Sequence, residues 1–201
     1  MTPGSTSNGK HKSPAGPLTP DVIVELAHSC RQFVWAKLQI ELDGTAETLP
    51  ILDHYIKLAR DDLRRQPEAT TLLAKTVGAY FGSVLASTMD GFWRVSSADD
   101  RHWFVCARSV YLAINPMGVA HDVLHASTDH DGPSSELRLD RGEHEVVAER
   151  LHRLPAMDEE EYFTLSARVE MIEIAIAALR DHHLAKGSAE IAFEPADYVT
   201  L

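Results

Sequence analysis

Phe92-Trp93-Arg94-Val95, then Trp103-Phe104-Val105-Cys106-Ala107, then Val110-Tyr111-Leu112-Ala113-Ile114, closed by Asn115-Pro116: this succession decides the fold class. Each of the three runs has strand length and is rich in aromatic and β-branched residues. Asp90-Gly91 turns the chain into the first run, and the polar stretch from Ser96 to Arg101 separates it from the second. The pattern predicts an antiparallel meander. Asn115 then offers a side-chain oxygen as an N-cap, and Pro116 suits the first helical position, so a helix follows with Val119, Val123 and Leu124 turned to the core.

Working outward, residues 68–88 read as a helix with Leu72, Leu73, Val77, Tyr80, Phe81, Val84 and Leu85 on its apolar faces. Ala74, Gly78, Gly82 and Ala86 recur every four residues along one ridge. An interior glycine costs about 1 kcal/mol relative to alanine, so Gly78 and Gly82 predict a groove that receives another backbone. Lys75 and the polar flanks exclude the membrane-dimer reading of this Gly-x-x-x-Gly pair. Before it, Thr19-Pro20 predicts a helix start, with Val22, Ile23, Leu26, Cys30, Phe33, Val34 and Leu38 at helical spacing and Asp43-Gly44 as its end. A second helix is expected from Thr48 to Arg65, its charged residues forming a solvated, mutually paired face.

Toward the C-terminus, Glu136 to Leu139 predicts a short strand and Glu143 to Leu154 a short helix. Asp158 with Glu161 reads as a capping box opening one long last helix that ends at Gly187. Tyr162, Leu165, Val169, Ile172, Ile176 and Leu179 form its packing seam, a lid on the sheet or on the first helices, or part of a dimer interface. Ile191 and Phe193 suggest a final edge strand. The expected architecture is α+β: N-terminal helices packed on a small antiparallel β-sheet, closed by a long C-terminal helix. Residues 1–18 are expected to be a disordered leader and residues 19–201 a single domain.

The chain has 201 residues and a formal charge of −11. Residues 1–100 hold ten Lys/Arg against twelve Asp/Glu, and residues 101–201 nine against eighteen. The acidic second half disfavours nucleic acid and anionic membranes and favours a basic protein partner. No apolar run reaches the roughly 20 residues of a membrane span, and the N-terminus lacks an apolar h-region. Cys30 and Cys106 read as buried free thiols. Together these predict a cytoplasmic protein, monomeric or homodimeric, with no cofactor.

One spacing resembles chemistry. His121-Asp122-Val123-Leu124-His125 sets two imidazoles one turn apart, as in the zinc-binding His-Glu-x-x-His helix, with Asp129, His130 and Asp131 close behind. Asp122 is shorter than the glutamate of that motif, and the glycine of its extended form is missing. Random placement of the eleven histidines gives about 0.6 such pairs. The alternative expectation leaves His121 and Asp122 in solvent at a half-exposed helix end. Trp93 and Trp103 suggest either a ligand platform or sheet-face packing.

Val77-Gly78-Ala79-Tyr80-Phe81-Gly82, Gly91-Phe92-Trp93-Arg94, Ile114-Asn115-Pro116 and Tyr162-Phe163-Thr164-Leu165 together resemble a group of uncharacterised bacterial domains of unknown function, over residues 46–182. The resemblance implies no activity and no functional residues. The leading expectation is a non-catalytic bacterial interaction module, an immunity or antitoxin-like binder of a basic protein through the acidic C-terminal half. The alternatives are a metal-dependent hydrolase using His121 and His125, and a small-ligand sensor with a pocket near Trp93 and Trp103.

Overall fold

The computed structural model describes residues 19–188 and 192–199. The expected leader, residues 1–18, and Ile191 of the expected edge strand lie outside the described residues. The fold is α+β, with helices on one face of a four-stranded antiparallel sheet in the order β1-β2-β3-β4.

Helix α1 (Asp21–Leu38) starts one residue later than its proline suggests, with Pro20 at the N-cap. It also stops before Asp43. Gln39 turns left-handed at φ 56°, and its side-chain amide donates to the Trp35 carbonyl at 2.8 Å. The extended chain beyond it buries Leu42 in the core, a gain that outweighs more helix. Asp43 then accepts from the Thr45 amide and from the Thr45 and Thr48 hydroxyls, which shapes the turn into α2 (Leu49–Leu63). These hydrogen bonds hold its carboxyl below the usual range. Helix α3 (Pro67–Thr88) runs through the centre and packs on α1.

β1 (Gly91–Val95) pairs with β2 (Trp103–Ala107), and β2 with β3 (Leu112–Ile114), in the expected meander. The strand expected over residues 136–139 narrows to Arg138–Leu139, β4, paired with β3. Alternation splits the sheet into two faces. Trp93, Trp103, Val105, Leu112 and Ile114 join the main core, while Phe92, Phe104, Cys106 and Ala113 point the other way. The C-terminal segment covers that second face. Tyr198 is fully buried there, and its hydroxyl accepts from the Leu112 amide at 3.1 Å and lies 2.7 Å from the Ala107 carbonyl. Phe193, expected in an edge strand, instead packs its ring against Tyr111 and makes a backbone bond to the Arg108 carbonyl. Tertiary packing of two aromatics replaces strand pairing.

Helix α4 (Pro116–His125) lies against α3, and the small ridge is where they meet. A Cβ on Gly78 would stand 2.8 Å from the Met117 Cα, and one on Gly82 2.3 Å from the Trp93 ring and 2.7 Å from Pro116. Both thiols are free and buried, which pushes each pKa up to about 12, with Cys30 in the main core and Cys106 across the sheet from it.

The single long last helix is in fact two. Asp158 caps only the four-residue α6 (Glu159–Tyr162), accepting from the Glu161 amide at 2.7 Å. The chain breaks at Phe163 and restarts as α7 (Leu165–Ala185). The restart has a local and a distant cause: the Thr164 hydroxyl caps it by accepting from the Ala167 amide at 3.1 Å, and the Asp53 carboxylate of α2 accepts from the Leu165 amide at 2.6 Å and from the Ser166 amide and hydroxyl at 3.1 and 2.6 Å. Burial raises the Asp53 pKa, and these bonds pull against the rise. Leu165, Val169, Ile172, Ile176 and Leu179 of the expected seam are buried, and α7 packs on α2, α4 and α5 (His144–His152), so it closes the helical layer.

Candidate functional site

The polar face of α4 is built by its N-cap. The Asn115 side-chain oxygen accepts from the Met117 and Gly118 amides at 2.9 and 3.2 Å, while its amide donates to the Asp100 carbonyl at 2.7 Å. One residue thus starts the helix and ties it to the short turn Asp100–His102. On the far side, the loop after α4 is drawn in close. A Cβ on Gly118 would meet the Ser134 carbonyl at 2.5 Å, and one on Gly132 would meet the His121 ring at 2.6 Å. Two glycines let this loop lie directly on the helix.

What holds the loop is Asp122. The expectation that it stands in solvent is overturned: it is 1% exposed. One carboxylate oxygen lies 2.8 Å from His130 Nε2, and the other accepts from Ser135 Oγ at 2.6 Å and from Arg168 of α7 at 2.9 Å. Arg168 keeps its side chain only 11% exposed, donates to the Tyr162 hydroxyl and lies over the Tyr162 ring at 4.1 Å. A carboxylate buried in this way is tolerable only when its lone pairs are met. Asp122 is therefore committed to His130, Ser135 and Arg168 and cannot play the part of the zincin glutamate. The Gly132 amide donates to His130 Nδ1 at 3.1 Å, so the proton of the neutral ring sits on Nε2 and faces Asp122.

His121, His125 and His130 come together. Their ring centroids lie 5.7, 5.2 and 5.4 Å apart, with the first two rings stacked at 12°. His125 Nδ1 lies 2.8 Å from the His121 carbonyl. His121 is half-buried, its Nδ1 shut in with no hydrogen-bond partner. Burial, with the two neighbouring imidazoles adding to it, lowers its pKa to about 4. It is a neutral ring in ordinary buffers.

The rings line a cleft of about 700 Å³. Its walls are Arg60, Leu63 and Arg64 of α2, Thr70, Thr71 and Lys75 of α3, Asp100 and Arg101 of the short turn, and the loop from Asp129 to Pro133. The second helix was expected to carry a uniformly solvated charged face, and Arg60 departs from it. Arg60 is half-buried and donates to the Val123 and Phe163 carbonyls at 2.9 and 3.1 Å. Those acceptors are backbone carbonyls at helix ends, so the guanidinium is held in place by neutral groups. Asp53 is the carboxylate that feels its charge. Arg101 likewise donates to a carbonyl, that of Asp131, at 2.9 Å, whereas Lys75 is paired with Asp100 at 3.2 Å. Asp129 and Asp131 are solvent-exposed at the rim, where water screens them.

Trp93 and Trp103 lie in the core, each 5% exposed, with the Trp103 indole donating to the Ser97 carbonyl at 2.8 Å. Sequence reading gave Arg60, Lys75, Arg101 and Arg168 no part in a site. Periodicity carries no signal for them, because each acts on a residue far along the chain. Glu143 and His183, 2.5 Å apart, are another such pair.

Comparisons with protein families, curated proteins and solved structures found no significant match.

Proposed function

We propose that this protein is a binder of a small anionic ligand, which enters the histidine-lined cleft beside α4. One observation carries the reading: in a chain of formal charge −11, the cleft gathers four cationic side chains and three imidazoles against three carboxylates, and Arg60 and Arg101 make their hydrogen bonds to neutral carbonyls. Such a site draws an anion toward donors already fixed in position. This keeps the small-ligand alternative and moves its pocket from the tryptophans to the helix ends.

Two other readings have less support. A hydrolase with metal on His121 and His125 needs further ligands, yet His130 has both ring nitrogens engaged. Among the described residues, no group of three or more His, Cys, Asp or Glu is arranged to hold a metal ion. Binding of a basic protein through the acidic half draws on the charge imbalance alone. Several of those carboxylates are already committed within the fold: Asp122 to Arg168, Asp181 to Arg150, Glu194 to Arg108 and Glu160 to Lys57.

Isothermal titration at fixed ionic strength tests the proposal with four probes: inorganic phosphate, sulfate, glycolate and acetate. Saturable binding of at least one, weakened about tenfold or more in Arg101→Glu, is the expected result, since a charge reversal at the cleft mouth repels what the cleft attracts. Absence of saturable binding by all four overturns it.

A further inference from the structure

Resting on that anion reading, we propose that the cleft selects an anion carrying its own O–H donor, and that His125 is the acceptor that makes the selection. The argument is a count of lone pairs. His125 Nδ1 lies 2.8 Å from the His121 carbonyl oxygen. A carbonyl only accepts, so Nδ1 bears the hydrogen, and Nε2 of the neutral ring keeps its lone pair. That nitrogen is what the exposed ring has left to offer a ligand.

The other groups around it mostly donate. Arg60, Arg101 and Lys75 have N–H groups and nothing that accepts. His130 has no free ring nitrogen, since one receives the Gly132 amide and the other faces Asp122. His121 has Nδ1 enclosed without a partner, and the tautomer that avoids a stranded buried N–H puts the hydrogen on Nε2. Asp100 gives one oxygen to Lys75, and the Asp129 and Asp131 carboxylates accept at the exposed rim, where water competes for them. An anion lying among the cations thus meets donors on most sides, the Thr70 hydroxyl oxygen, whose hydrogen goes to backbone carbonyls, and one imidazole lone pair. Without a hydrogen it sets its own lone pairs against that nitrogen. With a hydroxyl it closes the set.

The shared chemistry is a negative charge beside an O–H, found in hydrogen phosphate and in a hydroxy acid. The experiment separates these sources with two matched pairs: inorganic phosphate against sulfate at a pH where both are dianions, and glycolate against acetate. Each is titrated into the full chain and into His125→Ala, a change at an exposed helix end. The wild-type protein is expected to prefer the hydroxyl-bearing member of at least one pair about tenfold, the worth of one good hydrogen bond. His125→Ala is expected to bring that member down to its partner's affinity. Preference within the phosphate pair alone assigns the donor to an oxyanion, and within the glycolate pair alone to a hydroxy acid. Equal affinities in both pairs overturn the selection while leaving the anion site intact. A preference that survives in His125→Ala overturns the role of His125. No binding by any probe removes the site, and the selection with it.

Discussion

Helix α4 presents two unlike faces within ten residues. Toward α3 it is welded by close approach at two glycines, the Met117 backbone and side chain against Gly78, and the Pro116 ring, beside the Trp93 indole, against Gly82. Toward the cleft it is held by one buried carboxylate, Asp122, whose partners come from the following loop and from α7. The first face needs only that side chains be absent. The second needs three particular groups to arrive from elsewhere, and beside it the stacked His121 and His125 rings line the cleft. A helix clamped on one side by shape and on the other by charge is a rigid platform for a site.

The largest break in this comparison is expected at the charged side. Arg168→Ala leaves Asp122 buried with an uncompensated charge, and loss of one partner of a buried pair costs about 3–5 kcal/mol. Urea unfolding measures it, and a loss below about 1 kcal/mol would mean that water reaches Asp122. At the apolar side, Gly78→Leu drives a side chain into the Met117 backbone and is expected to cost about 1–3 kcal/mol by overpacking. Unchanged thermal stability there would place Met117 further from α3 than 2.8 Å contact implies.

Asp53→Ala sharpens the contrast from a third position. It removes the carboxylate that meets the Leu165 and Ser166 amides beside the Thr164 cap, worth about 0.5–2 kcal/mol at a helix N-terminus, and by loosening α7 it also loosens Arg168. A double-mutant cycle with Arg168→Ala is expected to show coupling, and strict additivity would separate the two.

The smallest expected effect is one of pH. His121 has a folded-state pKa near 4, against 6.5 as its ordinary value. Between these values the unfolded chain takes up a proton that the native ring refuses, so this contribution to stability is complete above 6.5 and is lost as pH falls toward 4. His121→Asn is expected to flatten the fall of the urea midpoint across that window. An identical pH profile in the variant would show that His121 titrates normally.

Most of the layout was legible in the sequence for a reason that differs from element to element. The strands at 91–95 and 103–107, the Asn115-Pro116 cap and the Gly78/Gly82 ridge are local patterns, each specified by residues within one or two turns of one another. Where the reading went wrong, a distant residue had intervened. Asp158 has the sequence of a cap for a long helix, yet it caps only four residues, and Thr164 together with Asp53, far back in the chain, starts α7 at Leu165. Asp122 has the look of a solvent-facing residue, yet Arg168, 46 positions on, took it into the core.

The sequence by itself determined the α+β class, the meander, the small-residue contact of α3 with α4 and the pairing of His121 with His125 on one face. Those follow from periodicity and backbone sterics, which act over a few residues. Only the tertiary structure decided that His130 joins the pair, that Asp122 turns inward, and that Arg60, Lys75 and Arg101 meet around one cleft. Charge and hydrogen-bond partners are chosen by distance in space, and no local pattern encodes it.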